Sequence, residues 1–163
     1  MKDLFTPLTR DERQEESLKA WLHNKGKGCV EGCTGYGKTR IGLNAIETVR
    51  KRYPTLSVIV VVPTDVLKNQ WTKLLDERGL GLNCRVMIIN TASKTMEKCD
   101  LLILDEILDN LDDVGSNKII DLLSSELNDV SSVFVISHRN DFTIPCDNEI
   151  NVIKGADKIS IIL

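Results

Sequence analysis

No stretch of this sequence is apolar for long enough to cross a bilayer. The longest such run is Val58 to Val62, closed by Pro63, against the roughly 20 residues a spanning helix needs. The N-terminal Met1-Lys2-Asp3 has no apolar core behind it, so nothing there reads as a secretory leader. These two absences set the expectation of a cytoplasmic chain with no membrane partner. Cysteine pairing is absent too. The five cysteines (Cys29, Cys33, Cys84, Cys99, Cys146) form no CxxC pair, and only two histidines, His23 and His138, stand beside them. Neither a zinc site nor a disulfide framework is supported, and reduced thiols are expected. Repeats, low-complexity tracts and linkers are also missing. A net charge of −3 and a pI near 5.4 exclude a surface that is basic throughout, while leaving room for a local basic strip that tracks a nucleic-acid backbone.

What is present is enough for one globular domain. The chain has 163 residues, 42% hydrophobic and 28% charged, a balance that can bury a real core. Thr9-Arg10-Asp11-Glu12 reads as a capping box, with the Thr9 hydroxyl accepting from the Glu12 amide while Glu12 reaches back. The helix it starts carries Leu18, Trp21 and Leu22, with Gln14 one turn before Leu18, and ends at Gly26 and Gly28. Residues 29–31 form a short buried strand. A glycine loop follows, then a helix with Ile41, Ala45 and Val49 four residues apart, stopped at Arg50-Lys51-Arg52 and Tyr53-Pro54. Val58 to Val62 reads as a buried parallel strand, and Val66, Leu67, Gln70, Trp71, Leu74 and Leu75 mark the next helix. Further strands are expected at 86–89, 101–104 and 133–136. Ser116 can cap a helix bearing Ile119, Ile120, Leu123 and Leu127, and residues 150–153 with 159–163 read as a terminal hairpin.

The chemistry concentrates in Gly32-Cys33-Thr34-Gly35-Tyr36-Gly37-Lys38-Thr39. A triphosphate needs many donors at short range, and Gly32, Gly35 and Gly37 let the backbone curl its N–H groups around the β-phosphate. Lys38 adds a point positive charge for the β- and γ-phosphates, and Thr39 offers a hydroxyl to Mg²⁺. The following helix aims its N-terminal dipole at the anion. All eight residues are candidate nucleotide contacts, and strand, glycine loop and helix are the context a P-loop requires. A second motif, Leu101-Leu102-Ile103-Leu104-Asp105-Glu106, is an apolar strand delivering two carboxylates at its C-terminal end, where α/β sheets place ligands. Asp105 would hold Mg²⁺, and Glu106 would orient or deprotonate the attacking water. These motifs predict an α/β fold of P-loop NTPase type: a RecA-like three-layer sandwich with a mostly parallel central sheet and a C-terminal hairpin.

With these motifs in order, residues 8–106 resemble the first RecA-like domain of superfamily 2 helicases and translocases, the DEAD/DEAH-type ATPases. The resemblance makes Gln14 an adenine-reading glutamine, although a surface helix glutamine would look the same. Pro63-Thr64-Asp65-Val66-Leu67-Lys68-Asn69-Gln70-Trp71 resembles motif Ia, P-T-x-x-L-x-x-Q-W, which lines the nucleic-acid track; Trp71 itself reads as core. Thr64 and the amides at that helix start would contact a backbone phosphate. Asn90, Thr91, Ala92 and Ser93 sit where the family carries another strand-contacting loop. Asp105-Glu106-Ile107-Leu108 stands for the DExx motif, departing from DEAD and DEAH at its last two positions.

From residue 101 on, a second likeness enters. Leu104-Asp105-Glu106-Ile107-Leu108-Asp109-Asn110-Leu111-Asp112 resembles the Walker B and D-loop of ABC-type ATPases, and His138 suits the switch histidine of their recombination-nuclease heads, sensing the γ-phosphate. Neither likeness is complete: the helicase S-A-T motif and arginine finger are missing, as is the ABC signature segment. The expectation is therefore one P-loop ATPase domain over 1–163, helicase-like over 8–106 and ABC-like over 101–163. Both families are taken to place the Asp-Glu strand beside the glycine loop. The implied function is an ATP- and Mg²⁺-dependent helicase or translocase domain, slow in isolation. Its expected partners are nucleic acid, with DNA favoured over RNA, and a second RecA-like domain. An ATP-dependent dimer of ABC/SMC type and a non-catalytic nucleotide-binding module are the alternatives.

Overall fold

The computed structural model describes residues 9–31, 37–95, 98–107, 130–137, 149–154 and 160–162. The expected helix capped by Ser116, residues 32–36 of the glycine loop, and His138 lie outside these. The described elements run α1 (Arg10–His23), β1 (Lys27–Glu31), α2 (Lys38–Arg52), β2 (Val58–Val62), α3 (Asp65–Glu77), β3 (Cys84–Ile88), α4 (Ile89–Thr95), β4 (Leu101–Asp105), β5 (Ser132–Ser137), β6 (Glu149–Lys154) and β7 (Ser160–Ile162). The strands form one sheet in the order β3-β2-β4-β5-β1-β6-β7. Every pairing in it is parallel except the terminal β6/β7 hairpin. This is the RecA-like helicase-domain α/β fold.

Side-chain alternation along the strands divides the core in two, because successive residues of a strand face opposite sides. Val58, Val60, Val62, Leu101, Ile103, Phe134 and Ile136 join Leu18, Trp21, Ile41, Ile46, Trp71 and Leu75 of α1, α2 and α3 on one face. Ile59, Val61, Leu102, Leu104 and Val135 pack with Ala92 of α4, Cys99, Ile107 and Val130 on the other. With helices on both faces, β2 and β4 are buried at every position, which is why they are spelled as unbroken apolar runs.

The start of α1 is the expected capping box, with the Glu12 amide donating to Thr9 Oγ1 and the Thr9 amide to Glu12 Oε2 at 2.8 Å. Its inward face is Gln14, Ser17, Leu18 and Trp21, whereas Leu22 is 40% exposed. At 100° per residue, the stripe through 14, 18 and 21 turns Leu22 to the rim. The chain then reverses through Asn24, with Lys25 and Gly26 at positive φ. At the start of α3, Val66 likewise faces solvent, at 76% exposure.

One further expectation changes. The segment Asn90, Thr91, Ala92 and Ser93 is not a loop but part of the seven-residue helix α4, which anchors itself by burying Ala92. The glycine-loop strand β1 and the carboxylate strand β4 are not neighbours, since β5 lies between them and pairs with both. Cys84 and Cys99 are free thiols. Burial pushes each up to about 11, with Arg50 opposing the shift at Cys84 and Asp100 adding to it at Cys99. Both are therefore protonated and unreactive near neutrality. No described helix is long and apolar enough to cross a membrane.

Candidate nucleotide site

The C-terminal ends of β1, β5 and β4 stand side by side, with Glu31 opposite Ser137 and Asp105 opposite Ile136. Residues following these ends are delivered to one rim of the sheet, the rim at which α/β folds bind ligands. Gly37 caps α2 in the left-handed region, at φ 83° and ψ 39°. Lys38 and Thr39 open the helix behind it. Lys38 is only 6% exposed, and its Nζ donates to the Ser137 carbonyl at 3.3 Å. The first turn of α2 holds no acid, and the amides at a helix start favour an anion.

Asp105, at 1% exposure, ends β4. Trp71 Nε1–H donates to its Oδ2 at 2.6 Å, from two turns into α3. The next residue, Glu106, takes φ 57°, and its amide donates to the Ile136 carbonyl at 3.0 Å. A left-handed conformation at a non-glycine residue costs on the order of 1 kcal/mol. Here it turns the chain sharply at the strand end, so that the two consecutive carboxylates do not continue the strand's alternation.

Gln14 is 2% exposed, which excludes the surface-glutamine alternative. Its amide lies against the glycine loop's last turn: a Cβ placed on Gly37 would meet Gln14 Nε2 at 2.5 Å and Arg10 Nη2 at 2.7 Å. Arg40 of α2 pairs with Asp11 of α1 at 2.9 Å, holding the two helices together beside this contact. A polar groove of about 300 Å³ opens alongside, lined by Gln14, Arg40 and Asn44 among others.

The residues present fit a magnesium-bound nucleotide. Asp105 and the Thr39 hydroxyl are hard oxygen donors, and among the described residues no cluster of three His, Cys, Asp or Glu forms a self-sufficient metal cage. Mg²⁺ held by one carboxylate, one hydroxyl and substrate phosphates has the same donor set.

Thr64 and α4 lie further along the same rim. Thr64 caps α3, its Oγ1 accepting from the Leu67 amide at 3.3 Å, and follows β2; α4 follows β3. Because Val62 pairs with Ile88, these two exits begin side by side, and Thr64, Asn90 and Thr91 are all exposed. Two contributions escaped the sequence reading. Ser137 was passed over for its neighbour His138, yet its carbonyl receives the lysine. Trp71 was assigned to packing alone. The Gln70-Trp71 pair in the motif Ia pattern was the only sequence signal for the latter, and it does not say where an indole N–H points.

A parallel sheet in which a strand separates the glycine-loop strand from the Asp-Glu strand, with a buried lysine at its rim, is the architecture of a RecA-like P-loop-type domain. Residues 8–104 match the family described as "Type III restriction enzyme, res subunit", and the chain belongs to that family. Among solved structures, the crystal structure of the Pyrococcus furiosus Hef helicase domain superposes with a TM-score of 0.68 at 14% sequence identity, covering 94% of this chain. The chain spans 41% of the length of that structure. No curated protein matches the sequence. The family match stops at residue 104 while the helicase fold continues across most of the chain, so the ABC-type likeness of residues 101–163 receives no support from either comparison.

Proposed function

We propose that the chain is one P-loop unit that binds and hydrolyses ATP with Mg²⁺, as the first motor domain of a superfamily 2 translocase or helicase acting on nucleic acid, with DNA favoured. The buried Lys38 ammonium carries the reading: it opens α2 directly behind the glycine loop, where it and the amides of the helix start together suit a triphosphate. In this reading Gly32, Cys33, Thr34, Gly35, Tyr36 and Gly37 present the loop's backbone donors, Lys38 binds the β- and γ-phosphates, and Gln14 reads the adenine. Thr39 and Asp105 hold the magnesium ion, which neutralises phosphate charge when bound. Glu106 orients the attacking water and accepts its proton, and His138 senses the γ-phosphate.

The exposed rim of Thr64, Asn90 and Thr91 takes the phosphate backbone of the nucleic acid; Ser93 belongs to the same segment. A second RecA-like domain supplies the arginine finger, a group worth about 10³ to 10⁵ in rate in related phosphoryl transfers. The 163 residues alone are therefore slow, and they bind without unwinding.

ATP turnover measured with and without single-stranded and duplex DNA or RNA, at two salt concentrations, tests this. Stimulation that fades with salt is expected, as is loss of ATP binding in Lys38→Ala. Turnover indifferent to every nucleic acid defeats the motor reading. Background turnover that Glu106→Gln leaves unchanged points instead to a nucleotide-binding module without catalysis.

A further inference from the structure

We infer that Trp71 is a positioning residue for the metal carboxylate, an inference that rests on the reading of Asp105 as a magnesium ligand. The indole ring is fully buried, and its single polar atom is a donor with no accepting capacity. A buried indole N–H needs an acceptor, and a backbone carbonyl would serve. Trp21, equally buried, uses one: its Nε1 donates to the Val133 carbonyl at 3.3 Å. Trp71 instead donates to a carboxylate at 2.6 Å, shorter than an ordinary N–H···O bond. That bond fixes Oδ2, so the carboxylate cannot rotate about its Cβ–Cγ bond and the direction of its other oxygen is set.

The ring itself has little room to move. Its far edge lies over Gly42 of α2, where an added Cβ would come within 2.8 Å of Cη2. Trp71 thus ties three parts together: α3, which begins at Thr64; the helix behind the glycine loop; and the strand that ends in Asp105. Groups that orient a metal ligand from behind typically change metal affinity by about 10- to 100-fold when removed.

The test is Trp71→Phe, which keeps an aromatic ring and removes the N–H, compared with Trp21→Phe, the same chemical change away from the site. Binding of a fluorescent ATP analogue is titrated with Mg²⁺ and repeated in EDTA, and the urea midpoint of each variant is recorded. Trp71→Phe is expected to raise the half-saturating Mg²⁺ concentration about tenfold while leaving binding in EDTA unchanged. Trp21→Phe is expected to lower the urea midpoint without moving the Mg²⁺ titration. An unmoved Mg²⁺ titration in Trp71→Phe overturns the inference and returns Trp71 to the core. If Trp71→Phe does not fold, Gly42→Ala presses on the ring from the opposite side and is expected to shift the same titration; no shift there is equally fatal. Asp105→Asn separates the two layers of the argument. A titration unmoved by Asp105→Asn removes the magnesium-ligand reading and this inference with it, whereas a shift in Asp105→Asn without one in Trp71→Phe removes the inference alone.

Discussion

Glu106 holds a backbone conformation that few residues other than glycine adopt without cost. At φ 57° the position favours glycine, so Glu106→Gly should relieve about 1 kcal/mol of strain, which for a domain of this size raises the thermal midpoint by roughly 2–4 °C. The same change removes the carboxylate, and hydrolysis should vanish. A melting curve and a phosphate-release assay on one preparation check both halves; a lowered midpoint would show that the side chain, not the turn, dominates there. At this scale the sequence was readable where a residue's chemistry has few uses and obscure where it has several. A lysine after three glycines points to phosphate and Asp-Glu after four apolar residues to a strand-end metal site, roles that belong to the proposed function. Gln14 reads as surface as easily as site, and its burial against Gly37 removes only the surface alternative. Trp71 satisfied every criterion for core, so its hydrogen bond was hidden behind its hydrophobicity.

Among the elements, the strands were the most legible, because burial on both faces leaves a composition that little else produces: β2 runs Val58–Val62 as expected. Short α4 was not legible. Asn90, Thr91 and Ser93 are ordinary loop residues, and the helix is held by buried Ala92 with half-buried Ile89 beside it. At the opposite rim the entries to β2 and β4 are joined by a side chain as well as by backbone hydrogen bonds. Asp100 Oδ2 accepts from both the Ser57 amide and the Ser57 hydroxyl, each at 2.8 Å, joining the entry to β4 with the entry to β2. These bonds, backbone amide first, hold the Asp100 carboxyl below its ordinary range. A depressed folded pKa means stability that is present above the unfolded value, near 3.9, and lost as pH falls through the folded one. Asp100→Ala should therefore cost about 0.5–1 kcal/mol at pH 7, small because the carboxylate is exposed. The deficit relative to wild type should shrink below about pH 4. Urea unfolding at pH 7 and pH 3 measures it, and a deficit constant across that range would mean that charge plays no part.

For the whole molecule, the class of fold was legible and the order of strands was not. Alternating strand and helix dictate a parallel sheet, but strand order depends on which crossover passes over which edge, and local sequence does not encode that. Hence both the glycine-loop strand and the Asp-Glu strand are legible in the sequence, but not that β5 lies between them. The two family likenesses also make different predictions about assembly. A helicase-type domain binds ATP as one chain, so its mass by light scattering should be the same with and without MgATP; ATP-induced doubling would restore the ABC-type alternative, pairing through Asp109 and Asp112.

The intervening strand β5 has a metric consequence. Neighbouring strands lie about 4.8 Å apart, so β1 and β4, separated by one strand, hold their C-terminal ends roughly 10 Å from each other. That gap is set by backbone hydrogen bonds on both sides of β5 and by no side chain, and Lys38 reaches across part of it, its ammonium standing at the Ser137 carbonyl at the end of β5. Substitutions at the rim therefore change what lines the gap while leaving the spacing of the strands as it is.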